Sequence, residues 1–195
     1  MARPASPARR TLPHQVRIIG GQWKRTLLPV ADRPGLRPTP DRVRETLFNW
    51  VGQDLTGWRC VDAFAGTGAL GLEAASRGAS DVLLVESEGA LVDGLRALVK
   101  KLDAQNVRVQ RGNALSVLAG LAPATVDLVF LDPPFEADLF DKALVAARPA
   151  LAPEGFVYLE APALWQGEAL ARHGLEAVRH MKAGAVHGHL LRPVA

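Results

Sequence analysis

Cysteine is nearly absent: Cys60 is the one thiol in 195 residues. An internal disulfide and any cysteine-based zinc site are therefore excluded. Apolar runs are short, and none approaches the roughly 20 residues that cross a bilayer. The opening MARPASPARRTLPHQ is basic and proline-rich without an apolar h-region, so no secretory leader is expected and the cytoplasm is the expected compartment. The five histidines are scattered; His187 and His189 stand two apart with no third ligand pattern beside them, so no metal is expected. What is plentiful, 48% apolar and 22% charged residues, suits one soluble domain with a small appendage.

The net charge of +3 hides an asymmetry. Residues 1–44 carry ten Lys and Arg against two Asp, a balance of +8, whereas residues 45–195 carry thirteen against eighteen, a balance of −5. A basic leader on an acidic body is the composition of a polyanion-binding arm. Residues 1–15 read as a disordered basic leader, equally a solubilising tail as a binding arm. Residues 16–38 mix strand formers with cations, and the Gly20–Gly21 pair between two apolar runs predicts a β-hairpin displaying Arg17, Trp23, Lys24 and Arg25. Trp23 there is either a packing anchor or a stacking platform.

A helix is predicted from Pro40, with Thr39 as N-cap and Val43, Leu47, Trp50 and Val51 on one face. Trp50 and Trp58 read as core. Arg42 and Arg44 can pair with Asp41 or Glu45 on the surface or meet phosphates. From Arg59 the chain alternates strand and helix: RCVDAF, GALGLEAASRG, DVLLVE, SEGALVDGLRALVKKLDAQ, NVRVQR, NALSVLAGL, TVDLVFLD, ADLFDKALVAARPAL and GFVYLEA. That alternation over residues 39–195 predicts an α/β, doubly wound, mainly parallel sheet. Two further strands around Ala183–Gly184 close it with an antiparallel hairpin, giving seven strands in all.

Ligands in open α/β sheets lie beyond the carboxyl ends of the strands, where strand order reverses. The first strand runs into DAFAGTGALG, and Gly66, Gly68 and Gly71 satisfy G-x-G-x-x-G in the strand-then-helix context. Glu86 closes the second strand twenty residues past Gly66, where a carboxylate accepts ribose hydroxyls. A nucleoside-containing cofactor follows. Asp62 favours one with a cationic amino-acid end, such as S-adenosylmethionine, over a pyrophosphate; the alternative is a carboxylate that caps the glycine turn. Asn113, with Ala114 after it, meets an adenine edge, caps the next helix, or does both.

The fourth strand ends in LDPPF. Two prolines can be a simple strand-to-loop turn. At this strand end, however, the Asp132 carboxylate and the Pro133 carbonyl can accept from an exocyclic amine and aim its lone pair at a methyl group, while Phe135 stacks on the base. A base inside a duplex cannot reach such a pocket, so the target is unpaired or flipped out.

D-P-P-[FYW] downstream of D-x-x-x-G-x-G resembles the amino-methyltransferases of nucleic-acid bases. With RIIGGQWKRTLLPV, GLRPTPDRVRETLFNW, DAFAGTGALGLEAASRGA, FLDPPF and VYLE, the stretch from Val16 to Arg192 resembles the RsmD family. Those bacterial enzymes methylate N2 of guanine 966 in 16S ribosomal RNA of the small subunit or its late precursor. The resemblance implies a class I methyltransferase fold with an N-terminal RNA-binding hairpin, S-adenosylmethionine as methyl donor and S-adenosylhomocysteine as product. By position it puts catalysis on Asp132, Pro133, Pro134 and Phe135. Cofactor contacts fall on Asp62, Phe64, Ala65, Gly66, Thr67, Gly68, Glu86, Asn113 and Ala114, with Arg37 and Thr39 closing over cofactor or base. RNA contacts fall on Arg17, Trp23, Lys24, Arg25 and Arg42. The family's FAGSG is FAGTG here. A monomer without membrane contact is expected.

Three alternatives stand beside this. A DNA adenine-N6 methyltransferase shares D-P-P-[FYW], but 195 residues leave little surface for base-edge recognition. A nicotinamide-dependent oxidoreductase shares the glycine turn and leaves LDPPF unexplained. A catalytically inert RNA-binding module has no use for both motifs.

Overall fold

The computed structural model describes residues 15–31, 38–135 and 139–194. Arg37 lies outside the described residues, as does the 1–14 leader. A two-stranded antiparallel hairpin, β1 (Gln15–Arg17) and β2 (Leu27–Pro29), precedes helix α1 (Asp41–Val51). Alternating elements follow: β3 (Arg59–Asp62), α2 (Ala69–Ser76), β4 (Asp81–Glu86), α3 (Gly89–Lys101), β5 (Val107–Arg111), α4 (Ala114–Ala119), β6 (Val126–Leu131) and α5 (Phe140–Ala147). The chain closes with β7 (Leu151–Ala161), a short α6 (Glu168–Ala171) that the sequence pattern did not mark, β8 (Leu175–Ala183) and β9 (Val186–Pro193).

Strand order is β5-β4-β3-β6-β7-β9-β8. β3 to β7 are parallel, and β9 is antiparallel between β7 and β8. Order reverses between β3 and β6, so their carboxyl ends flank the crevice where this class of sheet takes ligands. One buried cluster covers one face with residues of the hairpin, α1, α2 and α3; the other face is packed by α4 and α5.

The hairpin forms, but not as a tight two-glycine turn. Residues 18–26 arch over the C-terminal end of α2, and Gly20–Gly21 is where that arch touches down. Gln22 N–H donates to the Ser76 carbonyl at 2.8 Å, and Trp23 N–H to Ser76 Oγ at 2.9 Å. A Cβ on Gly21 would stand 1.8 Å from the Ser76 carbonyl oxygen, and its φ of +75° is left-handed, so only glycine allows this approach. Ile18 and Leu28 are fully buried, which at about 1.5–3 kcal/mol each fuses the hairpin to the core. Trp23 packs half-buried against that core, the anchor role. Trp50 and Trp58, expected in the core, are half-buried at its margin.

The joint between hairpin and sheet is ionic. Glu73, fully buried on α2, accepts from Ile19 N–H at 2.8 Å, Gly20 N–H at 2.7 Å, Arg44 at 3.1 Å and Arg77 at 2.9 Å. Arg44, read from the sequence as a surface cation, is fully buried as well. Its remaining donors reach Asp41 at 2.6 Å and the Thr39 and Arg17 carbonyls. A guanidinium placed among two carboxylates and two carbonyls tolerates such burial because each of its three nitrogens donates to a partner. Removing one partner leaves the other charge uncompensated. Glu73→Leu should therefore lose about 3–5 kcal/mol in denaturant unfolding and expose residues 18–26 to limited proteolysis; unchanged stability would mean that the network is dispensable.

Candidate active site

Four neighbouring strands end in carboxylates on the side where strand order reverses. Glu86 ends β4, Asp62 ends β3, Asp132 follows β6, and Glu160 lies next to last in β7. Each closes an apolar run that buries its strand, so the first polar residue falls at the rim. The register pairs Asp62 with Phe130 and Leu131 with Leu159, which sets Asp132 level with Glu160 on the adjacent strand.

Asp62 is buried, and Gly71 N–H donates to its Oδ2 at 3.0 Å, so the capping of the glycine turn is real. Burial nevertheless dominates and pushes its carboxyl up to about 7, with Glu86 and Glu160 adding like-charge repulsion. The turn itself holds Gly66 and Gly68 at φ of +51° and +78° and carries the chain from β3 into α2. Gly66 N–H donates to Glu86 Oε2 at 3.0 Å, and Glu88 N–H to Oε1 at 2.9 Å. These bonds, with a longer one from the Ser87 hydroxyl to Oε1 at 3.4 Å, fix the carboxylate yet leave Oε2 a further lone pair. Phe64, Ala65 and Thr67 line the same turn.

Asp132 is crowded by protein but keeps part of its surface open; burial first, then Glu160 and Asp62, push its carboxyl well above the ordinary range. Pro133 is buried, whereas Pro134 and Phe135 are exposed. The Phe135 ring, 38% exposed, leans on Phe140 at 6.1 Å between centroids, and Phe140 leans on Trp165 at 6.0 Å. Phe135 is thus braced on Phe140 while part of its surface is exposed. Glu160 is buried, and Tyr158 Oη donates to its Oε1 at 3.0 Å. Burial pushes Glu160 up, and the hydroxyls of Tyr158 and the neighbouring Thr39 pull it back.

Other expected residues sort as follows. Thr39 is not an N-cap: Pro40 occupies that position without a side-chain cap, and Thr39 is buried in the neighbourhood of Glu160. Asn113 caps α4 through its Oδ1, which accepts from Ser116 N–H at 3.1 Å, and Ala114 is buried behind it. Arg17 is paired with Asp41 at 2.7 Å while 62% exposed. Lys24, Arg25 and Arg42 are exposed. Tyr158 and Glu73 carry no sequence mark as site residues, whereas the end-of-strand position of Glu160 places it near the expected site, as a buttress of the loop or a residue without a catalytic part. His187 and His189 do have a third imidazole beside them, because the β8–β9 register brings His180 opposite His189. His189 spends both nitrogens, one on the Trp165 N–H and one on the Leu159 carbonyl. A cleft of about 160 Å³ between Pro29–Ala31, Gly66–Thr67 and the start of α3 is too small for a nucleoside cofactor and touches none of Asp62, Asp132 or Glu160.

Residues 16–192 match the family model described as Conserved hypothetical protein 95. Ribosomal RNA small subunit methyltransferase D of Escherichia coli strain K12 is 47% identical over 148 residues, which span 75% of this chain and 74% of that protein. The chain belongs to the RsmD family. A solved structure from Escherichia coli described as a methyltransferase superposes with a TM-score of 0.80 at 41% identity, covering 93% of this chain and 99% of that one. A methylase structure from Haemophilus influenzae gives 0.75 at 30% identity over the same shares. RsmD membership and the observed strand order agree with the expected class I methyltransferase fold, and the chain is a methyltransferase rather than a nicotinamide-dependent oxidoreductase.

The charge at the rim yields a stability test. Asp62 binds its proton more tightly folded than unfolded, so its contribution favours the folded state at low pH and is lost as pH rises from about 4 to about 7. Asp62→Asn, which keeps an acceptor for Gly71, should lack that loss. The variant's stability relative to the parent should rise by up to roughly 4 kcal/mol between pH 4 and pH 7 in ligand-free denaturant titrations. A pH-independent difference would mean that Asp62 is ionised throughout.

Proposed function

We propose that this protein transfers a methyl group from S-adenosylmethionine to the exocyclic N2 of guanine 966 in 16S ribosomal RNA. Its substrate is the small subunit or a late precursor, and it acts as a cytoplasmic monomer. The observation that carries the reading is the juxtaposition at the sheet's reversal point: Asp132–Pro133–Pro134–Phe135 beside the Asp62–Gly68 turn, in a rim of buried carboxylates. Relatives named as small-subunit ribosomal RNA methyltransferases support it.

S-adenosylmethionine fits this donor set and supplies an electrophilic methyl on a sulfonium. Its ammonium and sulfonium answer a rim where, among the described residues, the charges acting on Asp62 and Asp132 are all carboxylates. Glu86 Oε2 has a lone pair left for a ribose hydroxyl. On the substrate side Asp132 and the Pro133 carbonyl accept from the guanine amine, whose lone pair is otherwise delocalised into the ring. That draws the nitrogen toward tetrahedral geometry and orients it. Phe135, partly exposed, offers its ring to the flipped base. Lys24, Arg25 and Arg42 offer exposed cations for phosphates, with Arg17 available once its exposed pairing with Asp41 yields.

Labelled methyl transfer tests this, with unmodified small subunits, protein-free 16S RNA and unmethylated DNA offered in parallel. N2-methylguanine from subunit RNA is the expected product. N6-methyladenine in DNA alone would overturn the substrate and keep the chemistry. Asp132→Ala should lower kcat by at least about a hundredfold, with cofactor affinity held within a few-fold; an equal loss of cofactor binding would contradict the substrate-side role. Replacing Lys24, Arg25 and Arg42 together by Gln should reduce the salt slope of RNA binding by roughly 2, and an unchanged slope would remove them from the interface.

A further inference from the structure

Methylating an exocyclic amine frees a proton, and the carboxylate rim suggests where it goes. Asp132 stands level with Glu160 across the β6–β7 pair. Glu160 accepts a hydrogen bond from the Tyr158 hydroxyl at 3.0 Å, whereas among the described residues no side chain or backbone group donates to Asp132. A donor of this kind stabilises a charge, so Glu160 is the partner better able to remain ionised. Among the described residues the charged groups acting on Asp132 are Glu160 on β7 and Asp62 on β3; Glu86 on β4 acts in turn on Asp62, and Tyr158 is a neutral phenol.

Resting on the methyltransferase reading above, we propose that Glu160 is a positioning residue whose fixed negative charge makes Asp132 the acceptor of the amine's proton. The charge balance runs in the right order. In the ligand-free site two adjacent buried carboxylates do not ionise together, and a proton stays on the pair. Binding a sulfonium and an ammonium favours ionised Asp132 and expels that proton. In the transfer step the amine lone pair forms the N–C bond, and the S–C bond breaks with its electron pair on sulfur. Asp132 takes the N–H proton. The sulfonium charge disappears in the same step, so Asp132 regains its basicity when the proton needs a home, because Glu160 stays negative. Water receives the proton when the products leave.

The test is proton-linked calorimetry of the full chain, in buffers of differing ionisation enthalpy near pH 7. Wild-type protein should release close to one proton more on binding S-adenosylmethionine than on binding S-adenosylhomocysteine, whose sulfur is neutral. Glu160→Gln, which still accepts from Tyr158, should abolish most of that difference. It should also shift the acidic limb of the kcat profile to lower pH by about one unit, leaving KM for the RNA within twofold. Equal proton release for the two ligands in the wild-type protein overturns the proposal without needing any variant. So does an acidic limb unmoved in Glu160→Gln protein that binds S-adenosylmethionine normally. Absence of S-adenosylmethionine binding to the wild-type protein would instead overturn the methyltransferase reading itself.

Discussion

Glu73 takes hydrogen bonds from two backbone amides of the N-terminal arch and from two guanidiniums, Arg44 on α1 and Arg77 at the end of its own helix. A buried carboxylate is stable only when its oxygens are satisfied, and here three segments must be in place together to satisfy them. The arch lies on α2, and α1 is held against both. The other end of α2 opens at the glycine turn. The cations of the hairpin are therefore held in a fixed relation to the strand ends. The same clamp sets Thr39, whose carbonyl receives Arg44.

At the rim the physics inverts. Around Glu73 each charge is matched, whereas Asp62 and Glu160 are buried beside one amide and one hydroxyl donor, and both repel the partly open Asp132. Protein interiors tolerate such a set only by retaining protons, a standing electrostatic demand for a cationic ligand. A ligand bearing positive charge relieves the repulsion, and losing one of those charges during reaction restores it. The rim thus stores at rest a preference that chemistry can draw on.

Much of this was legible in the sequence, and the part that was not has a common cause. Asp62, Glu86 and Asp132 each end a short apolar run, so local pattern alone marks them, and strand–helix alternation gives the sheet. Glu160 ends such a run too, but its meaning depends on its strand lying beside Asp132, a fact of register. Arg44 looks like any helical cation with Asp41 and Glu45 nearby, because burial of a charge leaves no trace in spacing. Gly20–Gly21 reads as a turn, and Thr39 before Pro40 as a cap. The glycine pair is spent on Ser76, far along the chain, and Thr39 gives its carbonyl to Arg44 and not its hydroxyl to a helix end. His180 joins His187 and His189 only through cross-strand pairing.

The account stands most directly on the claim that the carboxylate rim and the glycine turn hold a cationic nucleoside cofactor. Thermal unfolding of the ligand-free protein, repeated with saturating S-adenosylmethionine and with NADH, tests that claim, since a ligand bound only by the folded state raises Tm with concentration over affinity. The account predicts a rise with S-adenosylmethionine, abolished in Gly68→Val protein, and none with NADH. Stabilisation by NADH and not by S-adenosylmethionine would contradict it.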